Sequence, residues 1–107
     1  MRQLTPVELK DLLATPSGNT LALIDVREEW EFAICQIDRS RNIPMAEVPE
    51  MLSSLDPASP TVLICHHGIR SAQVGDFLER NGFLDVINLA GGIDAWARDL
   101  DPQMATY

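Results

Sequence analysis

Cys65 is the residue with the clearest chemical character. It closes the apolar run Thr61-Val62-Leu63-Ile64 and is followed by His66-His67-Gly68-Ile69-Arg70-Ser71, after which a helical pattern begins. A short loop between a buried strand and a helix curls its backbone N–H groups inward, which suits an anion. The helix N-terminus adds partial positive charge at the same place. Both favour a thiolate over a thiol, and the thiolate is the reactive form of cysteine. Gly68 permits a backbone turn that a side chain would obstruct. Arg70 adds a permanent cation with a fork suited to an oxyanion. The seven residues Cys65–Ser71 thus offer a nucleophile and a cradle for an anion beside it. The same pattern also suits an ordinary buried cysteine at a strand end.

These residues need elements to hold them. Thr5-Pro6-Val7-Glu8 reads as a capped helix start, with Leu9, Leu12 and Leu13 as its apolar stripe and Pro16-Ser17-Gly18-Asn19 as its end. Leu21 to Val26 reads as a strand buried on both faces, the habit of parallel sheets. Glu28–Ile34 is expected to be a short helix, Asn42-Ile43-Pro44 extended, Glu47–Leu55 helical and Asp56–Pro60 a loop. Thr61–Cys65 is a second buried strand, His66–Arg70 a loop, and 71–81 a helix stopped by Gly82. Val86–Leu89 is a third strand, and Gly91-Gly92 turns the chain into a last helix holding Ile93, Trp96 and Ala97. Alternating strands and helices predict an α/β layered domain with a parallel sheet. Ligands of such sheets bind beyond the carboxyl ends of the strands. Asp25, Cys65 and Gly91 all lie at or just past such ends and are expected to meet on one edge.

Bulk properties narrow the function. With 107 residues the chain is expected to form a single domain, 1–107. Hydrophobic residues are 46% and charged residues 22%, a globular balance. The net charge of -8 opposes nucleic acid and anionic lipid. It also means that any anionic substrate must be attracted locally. The N-terminal residues lack a signal peptide's apolar region, and no apolar run is long enough to cross a membrane. Two cysteines, Cys35 and Cys65, without C-x-x-C spacing fit a reducing compartment, so a cytoplasmic location is expected.

The sequence resembles the rhodanese-like sulfurtransferases in several ordered blocks. Cys65-His66-His67-Gly68-Ile69-Arg70-Ser71 is similar to that family's C-x-x-G-x-R-S active-site loop. Leu23-Ile24-Asp25-Val26-Arg27-Glu28 with Trp30-Glu31-Phe32 is similar to its D-V-R-E-x-x-E-F segment, and Asn42-Ile43-Pro44 to its N-I-P. Gly82-Phe83, Val86 and Leu89-Ala90-Gly91-Gly92-Ile93-Asp94-Ala95-Trp96 are similar to its closing blocks. The resemblance implies a three-layer fold: a central parallel sheet of about five strands with helices on both faces. It also implies sulfur transfer from a donor such as thiosulfate, through a Cys65 persulfide, to cyanide or a thiol, with no metal or organic cofactor. His66, His67, Gly68, Ile69, Arg70 and Ser71 would form the substrate-binding loop. A protein sulfur partner is the alternative source, which would make the chain a carrier or docking module.

Cys-dependent phosphatases and arsenate reductases are the rival class. Their usual spacing is C-x5-R, whereas Arg70 follows Cys65 as C-x4-R. One residue fewer tightens the cradle, and displacing reacting groups by ~1 Å can cost ~100-fold in rate. The remaining residues carry milder expectations. Asp25 and Arg27 are expected to brace the loop by hydrogen bonds. Ser71 is expected to cap the following helix, with a second possible bond to the thiolate. His66 and His67 are expected to face solvent, and a Cys-His-His metal site is disfavoured because adjacent ligands rarely close a tetrahedron. Trp30 and Trp96 are expected to pack in the core. Where the family has G-H-I-x-G-A, this chain has Cys35-Gln36-Ile37-Asp38-Arg39-Ser40. Cys35 is either a small buried residue or a second thiol that takes sulfur from Cys65.

Overall fold

Three runs of apolar residues form the middle of the sheet. They are β2 (Ala22–Asp25), β4 (Thr61–Ile64) and β5 (Val86–Leu89). Two short strands flank them: β1 (Arg2–Leu4) on β5 and β3 (Arg41–Asn42) on β2. The computed structural model describes residues 1–107 and gives a five-stranded, wholly parallel sheet in the order β1-β5-β4-β2-β3. Four helices connect the strands, α1 (Pro6–Leu13), α2 (Glu29–Ile34), α3 (Val48–Met51) and α4 (Ile69–Arg80), and a fifth, α5 (Gly92–Leu100), follows β5.

The two-residue period of the strands divides the core into two layers. Leu23, Val62, Ile64, Ile87 and Leu89 face one side and pack with Leu9 of α1 and Ile93 of α5. Ile24, Leu63 and Val86 face the other and pack with Val74 and Leu78 of α4 and Val48 of α3. Cys65 belongs to the second layer and Cys35 to the first, so the sheet separates the two thiols. No helix is long and apolar enough to cross a membrane.

Most local expectations match these elements. Thr5 and Glu8 form the capping box, with Glu8 N–H donating to Thr5 Oγ1 at 3.2 Å and Thr5 N–H to Glu8 Oε1 at 2.8 Å. Four details differ. Strand β1 carries no alternation that would mark it, since its three residues are mostly exposed and gain order by pairing with β5. The segment expected as one helix over 47–55 is a four-residue α-helix between two 3-10 turns, Met45–Glu47 and Leu52–Ser54. Helix α4 begins at Ile69, not at Ser71, and its N-cap is Gly68 at φ 99°. Trp30 is 62% exposed rather than packed in the core, while Trp96 does pack against the α1–α5 layer.

Candidate functional site

The sulfur of Cys65 sits under its own loop. The residue is only 1% exposed. Gly68 N–H donates to Sγ at 3.0 Å, and Ser71 Oγ lies 3.2 Å away. Gly68 can aim its amide there because glycine tolerates a positive φ. Ser71 lies within the first turn of α4, so its hydroxyl is not the helix cap. That is the correction to its expected role, and the early start of α4 is the reason.

A second buried polar residue governs Ser71. Asn88, 3% exposed on β5, donates through Nδ2 to Gln3 Oε1 at 2.9 Å and to the Gly68 carbonyl at 3.2 Å. Those bonds fix its amide so that Oδ1 faces Ser71, whose hydroxyl donates to it. A hydroxyl has one proton. While that proton is on Asn88, Ser71 can only accept from Sγ, which matches a protonated Cys65. When Sγ is anionic, the same proton must turn from Asn88 to sulfur. Asn88 did not stand out in the sequence. Its one signal is a polar side chain in the otherwise apolar run Val86-Ile87-Asn88-Leu89.

The Gly91-Gly92 turn clamps the loop from the far side. Ile93 N–H donates to the Cys65 carbonyl at 2.8 Å and Asp94 N–H to the His66 carbonyl at 3.1 Å. A Cβ on Gly92 would overlap both of those carbonyls, so close backbone approach, not phosphate binding, requires glycine there.

Arg70 does not project into open solvent beside the sulfur. Its guanidinium pairs bidentately with Glu31 of α2, at 2.7 Å and 2.9 Å. This pairing pulls the Glu31 carboxyl down to about 2, against the opposing effect of burial, and raises the pKa of Arg70. Glu31 is itself held: Oε1 accepts Glu28 N–H at 3.0 Å and Oε2 accepts the Tyr107 hydroxyl at 2.7 Å.

Asp25 and Arg27 lie one step behind. Both side chains are fully buried. Arg27 donates to both carboxylate oxygens of Asp25, to the Glu31 and Cys35 carbonyls, and to the Tyr107 hydroxyl. Burial works against the Arg27 charge, but the bonds to Asp25 and Tyr107 outweigh it and hold the charge on. Arg27 therefore braces α2 and Glu31, and through Glu31 the Arg70 end of the loop. It does not touch the sulfur loop itself.

His67 is exposed, as expected. His66 is partly buried, stacked between His67 at 4.0 Å and Tyr107 at 4.1 Å. Burial lowers the His66 pKa from 6.5, which keeps the ring neutral at neutral pH. Burial also pushes the Tyr107 phenol up to about 12. The residues that could hold a metal are His66, His67 and Asp94, whose candidate atoms lie within 4.8 Å of one another. The two rings are stacked 26° from parallel, so their in-plane lone pairs do not converge on one point. Glu31, Asn88, Asp94 and Tyr107 all come from segments remote in sequence from Cys65, and no local motif joins them to it.

A buried cysteine at the carboxyl edge of a parallel sheet, gripped by a tight loop, defines a class of α/β domain. The rhodanese-like domain model matches residues 5–99, and the chain belongs to that family. It is 42% identical over 106 residues to the probable adenylyltransferase/sulfurtransferase MoeZ of Mycobacterium tuberculosis, covering 97% of this chain and 26% of that protein. This chain thus spans about a quarter of the length of that relative. It is 33% identical to the putative sulfurtransferase YtwF of Bacillus subtilis, with 96% of this chain and 97% of that protein covered. Among solved structures it is similar to a rhodanese-related protein of Thermoplasma volcanium, at a TM-score of 0.82 and 30% identity, covering 94% of each chain.

Proposed function

We propose that the protein transfers sulfane sulfur through a persulfide on Cys65. The observation that carries this reading is the seat of Sγ between the Gly68 amide and the Ser71 hydroxyl, at 1% exposure. A sulfur so enclosed can be reached end-on by a single outer sulfur atom. A tetrahedral phosphate would have to open the loop, which argues for sulfur over phosphoryl chemistry.

The steps balance simply. The Cys65 thiolate attacks the outer sulfur of thiosulfate. The sulfur–sulfur bond to the sulfonate breaks and sulfite leaves with the bonding pair. Cys65 then carries a persulfide anion. Cyanide or a thiolate attacks its outer sulfur and restores the thiolate. This is covalent catalysis by an activated nucleophile. The Gly68 amide and a reoriented Ser71 hydroxyl supply fixed donors for the anions along the way. The cycle calls on side chains and the loop backbone alone. Two free cysteines suit a reducing cytoplasm.

A second reading uses the same cysteine as a carrier charged by another protein. Ile69, 70% exposed as the first residue of α4, and the exposed Trp30, edge-on to Tyr107, favour it, since both present apolar surface to a partner.

Intact-mass spectrometry after incubation with thiosulfate tests the proposal. One added sulfur atom is expected on the wild type and on Cys35→Ser, and none on Cys65→Ser. Failure of every sulfane donor to load the wild type would refute it. Hydrolysis of an aryl phosphate that disappears in Cys65→Ser would move the protein to the phosphatase class.

A further inference from the structure

The charges around Sγ bear on which donor this site takes. Arg70 is the cation expected to attract an anionic donor, and it is spent on Glu31 through two short hydrogen bonds. Glu31 cannot easily swing away. Its side chain is 5% exposed, its oxygens also hold Glu28 N–H and the Tyr107 hydroxyl, and its carbonyl is held by Arg27 at 3.1 Å. Arg27 is fully buried against Asp25. His66 is kept neutral by burial. The nearest carboxylate to His67 is Asp94, at 4.0 Å. Every fixed positive charge near the sulfur therefore faces a carboxylate, within a chain of net charge -8. A dianion such as thiosulfate meets no free cation here.

We propose that Glu31 is a specificity-determining residue: by neutralising Arg70 it turns the site away from dianionic donors and leaves hydropersulfides, R–S–SH, as the donor class it takes. This rests on the Cys65 persulfide reading. The step is balanced without a further reactant. The Cys65 thiolate attacks the outer sulfur of R–S–SH, the internal sulfur–sulfur bond breaks, R–S⁻ leaves with the electron pair, and Cys65 becomes the hydropersulfide. The electrophilic end carries no charge. The exposed apolar surfaces of Ile69, next to Arg70 in the chain, and of Trp30, next to Glu31, suit the organic part of such a donor better than a hydrated oxyanion.

Glu31→Gln is the test: glutamine keeps an oxygen for the Glu28 amide and removes the charge, and it also gives up the Oε2 acceptor of the Tyr107 hydroxyl and of one Arg70 N–H, so the charge effect is read from the ratio between donors and not from one rate. Three probes differ in the charge of their electrophilic form: thiosulfate as a dianion, methanethiosulfonate as a monoanion, and the persulfide of N-acetylcysteine methyl ester as neutral R–S–SH, its rate followed against pH and divided by the fraction that is protonated. Second-order loading rates of Cys65 are measured for each by quenched intact mass. A unit charge at ~6 Å in an effective dielectric of about 40–80 changes a rate by about three- to tenfold per unit of donor charge. Glu31→Gln should therefore speed thiosulfate loading by about that factor more than methanethiosulfonate loading, and leave the neutral persulfide least changed. Added salt should speed thiosulfate loading of the wild type and have less effect on the variant. A purely structural role for Glu31 would slow all three donors together. An unchanged ratio between donors, or a wild type that loads fastest from thiosulfate, overturns the inference while leaving the Cys65 reading intact. Loading by none of the donors overturns the Cys65 reading instead. A persulfidated single-cysteine protein of near-zero net charge forms a further arm: faster loading from it than from the small persulfide assigns the source to a protein thiol, and the reverse to a free thiol.

Discussion

Ser71→Ala separates the two states of the Cys65 sulfur. In the structure the Ser71 hydroxyl donates to Asn88 and sits 3.2 Å from Sγ. For an anionic sulfur it becomes the second donor beside Gly68. A hydrogen bond to a charged group contributes about 2–3 kcal/mol, and the neutral bond to Asn88 given up in turning contributes about 1 kcal/mol. The net of about 1–2 kcal/mol corresponds to a rate loss of roughly 5- to 30-fold for persulfide formation. The variant also leaves Asn88 Oδ1 buried without a donor, at about 1–3 kcal/mol of stability. Loading must therefore be measured well below the melting transition, by rapid quench and intact mass, with near-UV circular dichroism showing the native fold. A loading rate within twofold of wild type in a folded Ser71→Ala protein refutes the proton-turning argument. Asn88→Ala gives the complementary arm. It frees the Ser71 proton for sulfur and also releases the Gly68 carbonyl, so the part of its effect on rate that acts through Ser71 should vanish in the Ser71→Ala background, a coupling that a double-mutant cycle reads directly.

Other expectations concern the supports of the loop. Arg27→Lys cannot reproduce the planar set of bonds to Asp25, Glu31 and Cys35, and it leaves a fully buried carboxylate poorly paired. A loss of about 3–5 kcal/mol follows, lowering the melting temperature by more than about 12 °C in calorimetry. The Glu31 carboxyl is held at about 2, below its ordinary 4.5, so its contribution to stability is complete above about pH 4.5 and is lost as pH falls toward 2. Denaturant midpoints measured across that window should fall steeply for the wild type and less steeply for Glu31→Gln. The single tyrosine, Tyr107, should show phenolate absorbance only near pH 12 in the folded protein and near 10 once unfolded in urea.

The sequence made the edge of the site readable but not its wiring. Asp25, Cys65 and Gly91 could be brought together from sequence because strand ends of a parallel sheet share one edge. The partners of those residues could not. The pairing of Glu31 with Arg70 spans 39 positions, and nothing local marks it. Arg70 read from its loop alone looked free for an anion, whereas tertiary packing commits it to a carboxylate. Ser71 was misassigned because the loop is shorter than the residue pattern suggested, with Gly68 taking the capping position. Trp30 looked like a core residue by composition, but the six-residue helix α2 turns Glu31 inward and Trp30 outward. Strand β1 was invisible because three residues carry no period and owe their order to β5.

The position of β4 in the sheet has a consequence for motion. It is the third of five strands and pairs on both sides, with β2 and β5. Strands so placed open only with the whole domain, while edges and tails open on their own. Cys65 therefore hangs from the segment whose amides should exchange most slowly. The parts that buttress its loop, α2 through Glu31 and Tyr107 through His66, belong to the periphery. Access to the buried sulfur is then a matter of small local openings around a fixed point. In the proposed transfer, Cys65 would gain and lose an atom at every turnover without asking the sheet beneath it to move.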